Sequence, residues 1–170
     1  IGTKRLMEFI INVAPGPTTP TSAPKFVSIE GEELVADETQ PAVAFIFKSQ
    51  IEQHIGEITY FRVVRGKITE GMELVNSRTG NKEKLSQLFA VAGKNRIKVT
   101  ELSAGDIGCT VKLKATRTND TLAAAGAHVK VEPIVFPEPR YRAAVKAKEQ
   151  GDEEKLGKLL NDIKHEDPTI

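Results

Sequence analysis

Tryptophan is absent from the 170 residues, aromatic side chains make up only 5%, and there is a single cysteine, Cys109. The core must therefore be built mainly from Val, Ile, Leu and Ala. One thiol cannot form an internal disulfide, which points to a reducing, cytoplasmic compartment. Cys109 lies in the apolar run Ile107 to Leu113 and reads as a small core residue rather than a nucleophile. No apolar run approaches the roughly 18–20 residues that span a bilayer, so no membrane association is expected. There is no secretory leader pattern, and the chain begins at Ile1 rather than Met, so a piece of a longer protein is expected.

Signatures of chemistry are missing too. There is no G-x-x-x-x-G-K-[ST] to cradle a phosphate. Asn81-Lys82-Glu83-Lys84 has Lys where a guanine-reading Asn-Lys-x-Asp box has Asp. His54, His128 and His165 are far apart and have no cysteine near them, so they read as loop or helix-end residues rather than metal ligands. No serine sits in a G-x-S-x-G elbow, and Glu32-Glu33 and Glu153-Glu154 read as surface charges. No catalytic, cofactor-binding or metal-binding residue is expected, and the chain is not expected to be an enzyme by itself.

What is present is the composition of a folded protein: 39% hydrophobic and 28% charged residues, with a net charge of +1. So small a net charge does not announce a nucleic-acid binder, and any RNA contact must come from local clustering.

Three pieces follow one another. In residues 1–24, Leu6, Phe9, Ile10 and Val13 fall on one helical face, with Thr3 as the expected N-cap and Pro15-Gly16 as the stop. One lone amphipathic helix cannot bury its own stripe. Four prolines between Pro15 and Pro24 mark an extended linker. Residues 25–135 carry strand signals. Val43, Phe45 and Phe47 alternate with Ala44 and Ile46, so that strand is apolar on both faces and central. Gly56 and Gly66 bound the β-branched and aromatic run Ile58 to Val64, and Tyr60 and Phe61 point to opposite faces, at least one of them into the core. Met72 to Asn76 and Lys82 to Leu88 flank a hairpin turn in which Gly80 supplies positive φ. Ile107 to Leu113 and Val129 to Ile134 complete the set. The expected fold is mainly β, a closed barrel or sandwich. In residues 136–170, Tyr141 to Ala147 alternate as a half-exposed strand, and Asp152 caps a helix with the stripe Leu156, Leu159, Leu160 and Ile163. A strand and one helix make half of a small α/β unit. Such a tail is expected to dock on the barrel, pair with a neighbouring molecule or be poorly ordered.

The remaining pattern is basic. Arg62, Arg65, Lys67, Arg78, Lys82, Lys84, Lys94, Arg96 and Lys98 recur in or near turns. Gathered at one end of a barrel, they form a patch for phosphate oxygens. Interleaved Glu57, Glu70, Glu73, Glu83 and Glu101 allow the other reading, a mixed solvated surface.

Gly56-Glu57-Ile58-Thr59-Tyr60-Phe61-Arg62-Val63-Val64-Arg65-Gly66-Lys67-Ile68 resembles the G-x-[LI]-[ST]-[FY]-x-R-[VI]-x-x-G-x-[LI] signature of the second domain of elongation factor G. Gly71, Asn76-Ser77 and the Gly80 turn continue it in register. Leu102 to Gly108 resembles the family's L-x-A-G-D-I-x, and Thr118 to Leu122 its T-G-D-T-L, with Asn119 in place of Gly. Phe136-Pro137-Glu138-Pro139 matches its F-P-E-P link, although Arg140 follows where an apolar residue is usual. Lys155-Leu156 through Glu166-Asp167-Pro168-Thr169 resembles its K-L…E-E-D-P-T. The usual M-H-A-N-x-R-E loop stands here as Ala92-Gly93-Lys94-Asn95-Arg96-Ile97, without the His.

The resemblance implies a closed translation-factor β-barrel over 25–135. It implies the last helix of a GTPase domain and its exit linker over 1–24, and the link and first strand–helix of an incomplete ferredoxin-like third domain over 136–170. It further implies a parent GTPase, a hydrolase acting on GTP, with GTP and Mg2+ held in a domain outside this chain. The barrel would pack on that domain and on the third, and contact small-subunit ribosomal RNA. The candidate contacts are Arg65, Arg78, Lys82, Lys84, Lys94 and Arg96. Three rival roles remain: an interdomain communication module with little RNA binding, the barrel of a tRNA-delivering factor, and the barrel of a ribosome-protecting relative.

Overall fold

The structure, a computed structural model, describes residues 2–14, 16, 25–52, 54–147, 149 and 151–170. Most of the expected proline linker lies outside the described residues. Helix α1 (Thr3–Val13) is followed by twelve strands: β1 (Phe26–Val27), β2 (Glu33–Leu34), β3 (Val43–Glu52), β4 (Gly56–Arg65), β5 (Lys67–Thr69), β6 (Glu73–Asn76), β7 (Lys82–Lys84), β8 (Leu88–Ala92), β9 (Asn95–Val99), β10 (Glu101–Ser103), β11 (Ile107–Val111) and β12 (Thr121–Ala123). Helix α2 (Glu153–Glu166) comes last. The chain is mainly β, as its composition and pattern imply.

Eight strands form one antiparallel sheet in the order β7-β6-β12-β3-β4-β11-β8-β9. β5 pairs with β10, and β1 with β2. One cluster of buried side chains (Ile46, Phe61, Val63, Ile68, Leu74, Leu85, Leu88, Leu102 and Leu122 among them) draws on both halves of the sheet. Leu85, just past edge strand β7, belongs to it, and Val99, ending edge strand β9, packs against it. Both ends of the ladder therefore wrap one core, the arrangement of a β-barrel.

The apolar run of β3 has its reason in a second cluster on the opposite face. There Val43, Phe45, Val64 and Ala123 are covered by Leu34, Val129 and Val131. Phe61 is wholly buried while Tyr60 faces outward and is only partly covered, so the pair does split between faces. Two glycines are closely crowded. At Gly66, φ is +75° and an added Cβ would lie 2.6 Å from the Ala42 backbone. At Gly108 it would lie 2.3 Å from Leu102 Cδ1.

Several expectations are corrected. Val129 to Ile134 is not a strand. Its partner β1 is only two residues long, so the pairing reduces to a bridge between Ser28 and Val131. Tyr141 to Ala147 is not a strand either, because no described residue offers it a ladder partner. Lys82 to Leu88 breaks at Leu85, which turns into the core between β7 and β8. Gly2, not Thr3, occupies the N-cap of α1. Asp152 stands at the N-cap of α2 but makes no side-chain cap; its carboxylate instead pairs with Lys155 at 2.6 Å.

The stripe of α1 is left open to solvent, with Leu6, Phe9, Ile10 and Val13 all exposed. Helix α2 instead docks against the far end of β3. The Glu166 carboxylate accepts a hydrogen bond from the Ile51 N–H, and His165 Nδ1 lies 3.4 Å from Glu57 Oε1. Docking was one of the three fates expected for this tail.

Candidate nucleic-acid interface

The nine basic residues of the sequence pattern divide by what they touch. Arg78 is a brace. Its guanidinium donates to both Asp120 carboxylate oxygens, at 2.6 and 2.8 Å, and to the Ala115 carbonyl at 2.9 Å. The Asp120 side chain is only 4% exposed, so this fork serves a buried charge. Burial pushes the Asp120 carboxyl up. Hydrogen bonds from Arg78, Asn76 and the Arg117 N–H outweigh it and hold the group below its ordinary range. Arg96 donates to Glu52 at 2.6 Å, which raises the guanidinium pKa further. Arg65 lies 4.0 Å from Glu32, with its Nε buried and without a partner. Lys67 pairs with Glu38 and Glu101, and Lys98 with Glu70. Arg62 stacks over the Phe26 ring at 5.5 Å.

Three of the nine have neither a carboxylate nor an aromatic partner among the described residues: Lys82, Lys84 and Lys94, all exposed. Lys82 and Lys84 point outward from edge strand β7 on either side of Glu83, whose side chain turns inward. That carboxylate accepts from the N–H groups of Lys114 and Ala115 and from the Thr116 hydroxyl. Glu83 thus holds the loop before β12 and does not neutralise its neighbours. Lysines on an edge strand also discourage pairing with another sheet, which gives these two a purely structural use.

Lys94 sits at the tip of the β8–β9 hairpin. Ala92 pairs with Asn95, leaving a two-residue turn, and Gly93 takes φ +60° at its first position. Lys94, Arg96, Gln50, Glu52 and Tyr60 line a recess of about 340 Å³ beneath this hairpin. The Lys48 ammonium lies 5.8 Å from the Tyr60 ring on the same side of the molecule. The six candidates therefore do not form one patch. Lys94 and Arg96 are brought together, Lys82 and Lys84 share an edge, and Arg65 and Arg78 are spent elsewhere.

A cluster that sequence reasoning missed lies on the other side of α2. Arg117 and Thr118 on the loop before β12 face Asn161, Lys164 and His165 of α2 across a cleft of about 440 Å³. The two halves are far apart in sequence, and only their membership of neighbouring motifs hinted that they belong together.

Among the described residues no group of His, Cys, Asp or Glu is placed to hold a metal ion. Cys109 is buried, and burial pushes its thiol pKa up, away from reactivity. No helix among the described residues is long and apolar enough to cross a membrane.

Comparison with known proteins decides the family. The model for elongation factor G domain 2 matches residues 41–125, and that for elongation factor G, domain III, matches residues 136–170. The chain belongs to the elongation factor G family. A relative named elongation factor G from Thermotoga neapolitana is 34% identical over 171 aligned residues, which cover 99% of this chain and 25% of that protein. A crystal structure of a Thermus thermophilus protein superposes with a TM-score of 0.76 at 25% identity, over 99% of this chain and 23% of the other. The chain thus spans about a quarter of the length of its elongation factor G relative. The crowded Gly66 and Gly108 fall inside the stretch matched to domain 2. The docked helix α2 falls inside the domain III match.

Proposed function

We propose that this chain is the barrel-bearing section of a translational GTPase that works on the ribosome, and that its barrel contacts small-subunit ribosomal RNA. The observation that carries the RNA contact is the set of three exposed lysines, Lys82, Lys84 and Lys94, that have no carboxylate partner among the described residues. A lysine with no partner carries its full charge to a phosphate and has no ion pair to break. Arg96, already bonded to Glu52, is the secondary candidate. Arg78 is better explained by its intramolecular partner, and Arg65 is mostly buried. In this reading GTP and Mg2+ bind a separate GTPase domain, against which the open stripe of α1 packs. The section described here contributes no catalytic group.

A second reading rests on a different observation. Helix α2 grips the end of β3 through Glu166 and approaches Glu57 through His165. Such a grip suits an interdomain relay, in which the barrel transmits the state of the GTPase domain to the next domain and RNA affinity is secondary. Binding to purified small ribosomal subunits separates the two. Charge reversal of Lys82 and Lys84 together is expected to weaken binding at least about tenfold at low salt. Unchanged affinity would remove those lysines and favour the relay.

A further inference from the structure

The cleft between the β11–β12 loop and α2 has features that neither the barrel's lysines nor the docking of the helix explains. Thr118, which lines it, has a buried Oγ1 with no hydrogen-bond partner, whereas His165 Nδ1 faces Glu57 Oε1 at 3.4 Å. A buried hydroxyl left unpaired is unfavourable, so it marks a place where a partner is missing. Arg117 and Lys164 line the same cleft, and neither has a carboxylate within ion-pair distance among the described residues.

The barrel side of the cleft is also held rigid. The Arg117 N–H donates to Asp120 at 2.9 Å. The Asn119 side chain is tied to the Ile134 backbone by two hydrogen bonds, at 3.0 and 2.9 Å. Asn119 itself adopts φ +74°, which turns the chain sharply beside Thr118. Glu83 fixes residues 114–116 just before. A loop so braced presents Arg117 and Thr118 with little entropy left to lose on binding.

Glu57 lies near His165 and Arg117, while Asp120 and Glu83 brace the loop from behind. Burial raises the Glu57 carboxyl above the ordinary range, against the pull first of His165 and then of other groups including Arg117.

We propose that this cleft is a binding site for a phosphate oxyanion, received by the Arg117 guanidinium, the Lys164 ammonium and the Thr118 hydroxyl, with His165 beside them. The donors come from two elements, so an occupied site would also fasten α2 to the barrel. The phosphate could be free in solution or part of an RNA backbone. The RNA source rests on the ribosomal reading above, and the free source does not.

The test is an amide and imidazole NMR titration of the 170-residue chain, run once with inorganic phosphate against chloride at equal ionic strength and once with a short RNA duplex. Phosphate is expected to shift the Thr118 and His165 resonances saturably. Arg117→Gln with Lys164→Gln is expected to weaken that response at least about tenfold while the amides of β3 and β4 keep their positions. Lys82→Gln with Lys84→Gln is expected to leave it unchanged. RNA that displaces phosphate from the cleft identifies the backbone as the source. A phosphate response without one from RNA identifies free phosphate. Shifts no larger than those with chloride, or a full response in the Arg117 and Lys164 variant, would overturn the site. Loss of RNA binding in the Lys82 and Lys84 variant alone would leave the ribosomal reading intact and remove the cleft from it.

Discussion

Arg78 shows how a tertiary pairing can hide behind a local pattern. In sequence it stands in a turn among other cations, which is where a phosphate contact is sought. Its partner, Asp120, lies 42 residues on, and nothing local announces the pairing. Arg78→Ala should cost about 2–3 kcal/mol at neutral pH, because it strands a nearly buried carboxylate with fewer donors. The folded-state pKa of Asp120 lies below its ordinary 3.8. The pair's contribution is therefore fully present above that value and drains away as pH falls through the lowered one. Urea melts of the parent and variant at pH 7 and pH 3 should show the gap narrowing at acid pH. An Arg78 whose main use is RNA would instead lose affinity with little change in the melt. Gly66 makes a separate prediction from geometry alone. Alanine there meets both a φ of +75° and the Ala42 backbone at 2.6 Å. Gly66→Ala should destabilise by more than about 2 kcal/mol, read as a fall in melting temperature.

Among the elements, length decides what is legible from residue order alone. β3, β4 and β11 are central, apolar and bounded by glycines or turns, and their run lengths exceed what a turn could hide. β12 is also central, between β3 and β6, yet it is only three residues, too few for any period to register. β9 is masked in sequence by its basic residues Arg96 and Lys98, and β10, like β12, is only three residues long. The opposite failure occurs at Tyr141 to Ala147, where a clean alternation has nothing to pair with among the described residues. The same limit applies to the candidate site. The unpaired lysines can be named, but the carboxylates that occupy Arg78 and Arg96 arrive through tertiary pairing that spacing cannot show. Helix α2 offers an element-scale test. It contributes no fully buried residue, and its hold on the barrel is polar. A chain ending at residue 147 should melt within about 3 °C of the parent, a change of under about 1 kcal/mol for a domain of this size. The Ile51 amide should lose its protection from hydrogen exchange while the amides of β4 and β11 keep theirs. A much larger drop would mean that α2 belongs to the barrel's core.

At the scale of the whole molecule, charge is the constraint. With a net charge of +1, long-range attraction cannot bring this chain to a polyanion. Any affinity for RNA must come from the few cations that no carboxylate shields, acting over a Debye length of about 8 Å at physiological salt. Such an interface has a countable signature. Each lysine that displaces a counterion from a single-stranded or irregular RNA backbone contributes a slope of about 0.7 to the fall of log affinity with log salt. If Lys82, Lys84 and Lys94 all make such contacts, changing the three to glutamine should reduce the measured slope by about 2, with the melting temperature nearly unchanged because none of them has an ion pair to lose. Changing Lys67 and Lys98 instead should leave the slope almost where it was, since both are already paired with glutamates. If both sets of variants moved the slope alike, binding would reflect diffuse surface charge. A slope unmoved by either would mean that the barrel meets the ribosome through the cleft beside α2 or through polar and apolar surface, and the relay reading would gain.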